Sequence, residues 1–179
     1  MGGRRGVQRP GGLRFDSGGR PLPMIKKLLV GFLTVLVLAI AVAVGSLFKL
    51  AADSREMSPQ GGVVDGRLAA CPATPNCVSS DAPAGDSHHI DPIADPTGAK
   101  WAGLVEKVSA LAGATLVTAN DRYAHFTFTT KFMRFVDDVE FYHRPERAEI
   151  ALRSASRVGQ GDMNVNRDRA ESIRAALQR

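Results

Sequence analysis

The densest set of groups able to do chemistry lies in fifteen residues, Arg153 to Arg167, RSASRVGQGDMNVNR. An acidic run, Asp137, Asp138 and Glu140 in RFVDDVEF, precedes it. Together Asp137, Asp138, Glu140, Arg153, Ser154, Ser156, Arg157, Asp162, Asn164, Asn166 and Arg167 form a candidate polar cluster, either a ligand-binding wall or a structural network. A serine nucleophile needs a base in hydrogen-bond reach, and His88, His89, His125 and His143 are the candidates. Neither serine sits in a Gly-x-Ser-x-Gly elbow, so hydroxyls that hold backbone groups in a turn are the plainer reading. Gly159 and Gly161 stand just before an expected helix N-terminus, where backbone amides bind phosphate or carboxylate and Arg157 and Arg167 would add charge. The pattern is not Gly-x-Gly-x-x-Gly, so nucleotide binding is unsupported. A histidine within about 3 Å of a serine or carboxylate in an open cleft would favour an enzyme, and a fully paired cluster a binding module.

The two cysteines, Cys71 and Cys77 in CPATPNCVSS, are expected to pair if the domain lies outside the cytoplasm. Zinc would need further ligands, with only His88 and His89 close in sequence, and the spacing is not the Cys-x-x-Cys of a redox pair. HHIDP, His88 to Pro92, offers His and Asp donors, but neighbours on an extended chain point opposite ways. No metal and no cofactor is expected. LAAC, Leu68 to Cys71, imitates a lipoprotein cleavage box, yet it lies far from the apolar run it would have to abut.

The elements that must position these groups follow from periodicity. Trp101, Leu104, Val105, Val108 and Leu111 fall at helical spacing, with Thr97 as the expected N-cap and Gly113 as the stop. ATLVTA, YAHFTFTT, MRFVDDVEFYH and AEIALRSAS read as strands. The last segment reads as a helix capped by Asn166, with Asp168 in its first turn and Ala170, Ile173 and Leu177 on one face. The order helix, antiparallel strands, helix predicts an α+β two-layer domain. A tight hairpin at RPER would set Asp138 opposite Arg153 and Asp137 opposite Ser154, an acid–arginine pair across the sheet that Glu140, Arg157 and Asp162 would extend into a pocket wall.

Leu28 to Phe48, LLVGFLTVLVLAIAVAVGSLF, carries no charge over 21 residues, which as a helix covers about 30 Å, the hydrocarbon thickness of a bilayer. It is longer than the apolar region of a cleaved signal and predicts an uncleaved signal anchor. Residues 1–56 carry nine Lys/Arg against three acids, whereas the remainder carries 14 basic and 15 acidic side chains. The high pI therefore belongs to the N-terminal arm, the domain lacks the cationic footprint of a nucleic-acid binder, and the positive-inside rule keeps the N-terminus cytoplasmic. The expected organisation is a disordered basic arm over 1–23 that touches anionic headgroups, a transmembrane anchor over 24–50, a stalk over 51–67 and an exported domain over 68–179.

CPATPNCVSS, RFVDDVEF and RSASRVGQGDMNVNRDRAESIR, in that order, resemble the domain-of-unknown-function family 1499 of bacteria and plastids. The resemblance spans roughly Leu68 to Leu177. It implies that these segments are the family's hallmarks, and it supplies no activity, ligand or catalytic residue. Where similar proteins often show GYSDLGVNR this chain has GQGDMNVNR, without the aromatic. The function expected is a binding or envelope-support module of the cytoplasmic membrane, its domain in the periplasm or an equivalent space. Its expected partners are the bilayer and either an envelope protein or a small anionic ligand, with an extracytoplasmic hydrolase using Asp137, Asp138, Glu140, Arg153 and Arg157 as the alternative.

Overall fold

The computed structural model describes residues 23–59 and 61–178. Apart from Pro23, the arm expected over 1–23 lies outside the described residues. Two compact units divide the chain at Ala41/Val42. Helix α1, Met24–Glu56, begins in the first and ends in the second. From Met24 to Leu50 every residue of α1 is exposed. An apolar helix of this length near the N-terminus, together with a disulfide in the domain, marks a membrane-anchored or exported protein.

The second unit is an α+β two-layer domain. Its sheet runs β3 (Cys77–Ser79), β8 (Glu149–Ser156), β7 (Val136–Arg144), β6 (Tyr123–Thr129), β5 (Ala114–Ala119), all antiparallel, and β4 (Ile93–Ala94) pairs with the far half of β8. α2 (Ala99–Ser109) and α3 (Val165–Gln178) cover one face. The alternation of β6 explains this: Ala124, Phe126 and Phe128 enter the core while Tyr123, His125 and Thr127 point the other way. Phe126 and Phe141 meet edge to face at 6.0 Å, and Leu104, Val108, Ile173, Ile150 and Leu152 close around them. A short hairpin, β1 (Val63–Val64) with β2 (Arg67–Leu68), and the last turn of α1 contribute buried Leu68, Ala51 and Ser54. β5 is the outer strand beyond β6, and its register shifts between Leu116 and Thr118.

Three local expectations are corrected. α2 ends at Ser109, before Leu111 and the expected stop at Gly113, and the Asp95 carboxylate caps its first turn while Thr97 Oγ1 accepts only Ala99 N, at 3.4 Å. The Asp95 carboxylate accepts from Lys100 N at 3.2 Å and Trp101 N at 2.9 Å, with Gly98 at φ 74 turning the chain between them. Asn166 lies inside α3, and the carboxylate of Asp162 takes Asn164 N at 3.1 Å and Asn166 N at 2.9 Å in its place. The β7–β8 connection is not a two-residue turn. A 3-10 turn over Pro145–Arg147 and left-handed Ala148 (φ 52) intervene, so Arg144 pairs with Glu149. A two-residue type I′ turn needs positive φ at both central positions, and Pro145 is locked at negative φ. The register moves by two residues, which preserves the faces but changes every partner: Glu140 opposes Arg153, Asp138 opposes Ala155 and Asp137 opposes Ser156.

Phe141→Ala removes a fully buried ring at the sheet–helix junction. The expected loss is about 3–5 kcal/mol, read as a lowered denaturation midpoint of the detergent-solubilised full chain.

Candidate functional site

Period two sorts the acidic run onto both faces of the sheet, so the expected cluster is two networks back to back. On the face away from α2 and α3, Asp138 is clasped by Arg157 through Nε (2.9 Å to Oδ2) and a terminal nitrogen (2.8 Å to Oδ1), and His125 Nε2 donates to Oδ1 at 2.9 Å. The other terminal nitrogen of Arg157 donates to the carbonyls of Ser54 (3.2 Å) and Met57 (2.6 Å), acceptors at the C-terminal end of α1. The expected Asp138–Arg153 pair is thereby replaced. Arg153 instead donates to Oε2 of Glu140 at 2.8 Å, and Oε1 of Glu140 accepts the Tyr123 hydroxyl at 2.7 Å and the Gly62 N–H. Burial first, and the Glu140 carboxylate second, push the Tyr123 phenol well above its ordinary value, so it serves as a neutral donor. Gly61 is required beside this pair, since a Cβ there would stand 2.1 Å from Oε2 of Glu140.

On the helix side, Ser154 is fully buried and its hydroxyl donates to Asn166 Oδ1 at 2.6 Å. Arg169 donates to Ser154 Oγ (3.0 Å), to Asn166 Oδ1 (2.6 Å) and to Asp137 Oδ2 (2.6 Å). The amide nitrogen of Asn166 reaches Asn76 O, Ser156 Oγ and Asp162 Oδ2 at 3.0, 3.0 and 2.8 Å, two protons shared among three acceptors. Ser154 and Ser156 thus hold structure. Arg167 turns outward and donates to the carbonyls of His89 and Ser87, so it does not join Arg157 at the glycine loop. Asn164 supplies the carbonyl that accepts Asp168 N, and Asp162 stays with this network instead of lining a wall with Asp138. His88 binds Asp86 at 2.7 Å and Thr74 O at 3.2 Å, while His89 binds Ala82 O at 2.8 Å, so both rings serve the loop that precedes β4.

Cys71 and Cys77 form a disulfide. It closes one wall of a cleft of about 470 Å³ whose floor is Asp138, Arg153, Ala155 and Arg157 and whose lip is Gly159 and Gln160. Asn76, inside the disulfide loop, receives Ser156 N at its carbonyl and donates to Gly159 O at 2.9 Å, fixing that lip. A third buried pair lies at the far end of β7, where Arg144 meets Asp81 at 2.6 Å and Asp81 also accepts Leu68 N. Burial raises the Asp81 carboxyl, and the bonds from Arg144 and Leu68 with the charges of Arg144 and Arg67 outweigh it, so its pKa lies below the ordinary value.

Tyr123, His125, Asn76 and Arg169 belong to these networks and were missing from the cluster read off the sequence. The polar face of YAHFTFTT carried the signal for the first two. Arg169 was marked by its spacing of three from Asn166 on a helix that covers the sheet. A family profile described as "Protein of unknown function (DUF1499)" matches residues 67–177. No curated protein and no solved structure matches the chain.

Asp138→Ala is expected to cost about 3–5 kcal/mol by leaving the Arg157 charge buried without its carboxylate, measured by denaturant unfolding. The depressed pKa of Asp81 means that its contribution is complete above the ordinary value of 3.8 and is lost as pH falls through the folded value. Asp81→Asn should accordingly flatten that acid limb of the stability–pH profile while lowering stability at neutral pH.

Proposed function

The chain belongs to the DUF1499 family, and we propose that it acts as a non-catalytic module anchored in the cytoplasmic membrane. In this reading Leu28 to Phe48 span the bilayer once, Lys26 and Lys27 keep the N-terminus inside, and the disulfide-bearing domain works in the periplasm or an equivalent oxidising space. The observation that carries the reading is the internal pairing of the charged groups. Both oxygens of Asp138 are engaged by Arg157 and His125, and both oxygens of Glu140 by Arg153, Tyr123 and Gly62. A general acid, base or nucleophile needs a lone pair or proton aimed at a substrate, and these are spent on one another. The 2.9 Å contact of His125 with Asp138 is the feature that favours the hydrolase alternative, but His125 is buried and is not among the residues lining the cleft.

The binding element is the cleft between the disulfide and the Gly159–Gln160 lip. Asp138 and Glu140 balance Arg153 and Arg157 beneath it, which favours an uncharged polar segment of an envelope protein over a small anion. The test is a photo-crosslinking side chain at exposed Gln160 in the full chain in living cells. A discrete adduct with an envelope protein, lost when Ala155→Phe fills the cleft floor, is the expected outcome. Turnover of an ester or phosphate substrate that His125→Gln abolishes at unchanged stability would replace the module reading with the enzyme.

A further inference from the structure

The connection from β6 to β7, Thr130–Phe135, is an exposed loop held in a defined shape. Thr130 N donates to Phe135 O and Phe135 N donates to Thr130 Oγ1, each at 2.9 Å, which closes the loop at its base. At its tip Phe132 is 86% exposed, an aromatic ring given to solvent by an ordered turn. Lys131 and Arg134 flank it, and among the described residues neither has an ion-pair partner. No carboxylate occurs between Arg122 and Val136, so this edge is cationic in a domain whose net charge is close to zero.

The loop is also tied to the end of α1. Arg55 donates to Arg134 O and Val136 N donates to the buried Ser54 hydroxyl, each at 3.1 Å. Ser54 lies six residues beyond Phe48, the last residue of the uncharged run, about 9 Å along a helix. The headgroup layer outside the hydrocarbon is about 5–7 Å thick on each side, so a loop fixed to Ser54 and Arg55 is within side-chain reach of it. Beside the loop opens a recess of about 820 Å³, lined in part by Lys131, Arg134, Thr130, Phe128 and Arg169. Arg169 is already bonded to Asp137 and forms a polar wall.

We propose that this loop and recess are a second, lipid-facing contact of the domain, in which Phe132 enters the interfacial layer of the bilayer that holds the chain's own anchor and Lys131 and Arg134 meet anionic lipid phosphates. The proposal rests on the anchored reading above. An aromatic ring with flanking cations is the chemistry that the interface of an anionic membrane selects. The contact restricts the domain's swing about the end of the anchor and directs the same face toward the membrane in every copy.

The experiment uses the full chain carrying Phe132→Trp, reconstituted into phosphatidylcholine–phosphatidylglycerol vesicles with brominated acyl chains. Wild-type protein, whose one tryptophan is Trp101, supplies the background. The expected result is a blue-shifted added emission quenched by the bromolipid, with the quenching lost when Lys131→Glu and Arg134→Glu are combined with it and reduced in pure phosphatidylcholine. Protein that floats with the vesicles while the added indole is quenched only by aqueous iodide overturns the proposal and leaves the anchor intact. Protein that fails to float overturns both. An emission shift produced by inorganic phosphate in detergent, without anionic lipid, would assign the recess to a soluble anion and overturn the membrane contact.

Discussion

The guanidinium of Arg157 joins three parts of the chain. Its fork holds Asp138 on the central strand β7, its remaining nitrogen satisfies carbonyls of Ser54 and Met57 at the end of α1, and its backbone opens the loop after β8. A helix end leaves carbonyls without intrahelical donors, and a buried carboxylate is costly without a cation. One side chain answers both demands. His125 and Tyr123 complete the satisfaction of Asp138 and Glu140, so the sheet keeps a buried charged face beside the β1–β2 hairpin and the end of α1. Buried ion networks are modest contributors to net stability compared with apolar packing of equal volume, but they punish wrong registers severely. Here that penalty specifies how β7, β8 and the end of α1 come together.

The opposite face centres its network on a neutral amide. Asn166, fully buried at the start of α3, links β8 through Ser154 and Ser156, the disulfide loop through Asn76, and the helix-capping Asp162. An amide provides donor and acceptor on one rigid plane, which lets it join elements that approach from different directions. Arg169 then carries the network to Asp137, so the two adjacent aspartates of β7 serve opposite sides of the sheet. The disulfide acts through the same node, because it restrains the backbone of Asn76, to whose carbonyl Ser156 N and the Asn166 amide donate.

Legibility followed the length of the element. β6, β7 and β8 each run seven to nine residues and carried their alternation openly. β1 to β4 run two or three residues, too few for any period to register, and hold their places through β8 and β2 pairing and, for β3, the disulfide. The cross-strand partners of Asp137 and Asp138 differ from expectation because of the turn at Pro145, whose fixed φ excludes a two-residue type I′ turn; the four-residue connection found instead moves the register by two. The face of each residue survived that error and its partner did not. Caps failed where the capping group acts across a bend: Asp95 reaches past Pro96, Thr97 and Gly98 to Lys100 and Trp101, a distance that adjacent-residue reasoning does not search.

The register shift between Leu116 and Thr118 on β5 falls on the outer strand of the sheet. A straight outer strand carrying Leu116 and Val117, both about two-fifths exposed, would offer a row of backbone donors and acceptors to the same strand of the next copy. The interruption at Val117 breaks the spacing of that row and twists it. That one irregular residue blunts the outer edge of the sheet against pairing with a further strand.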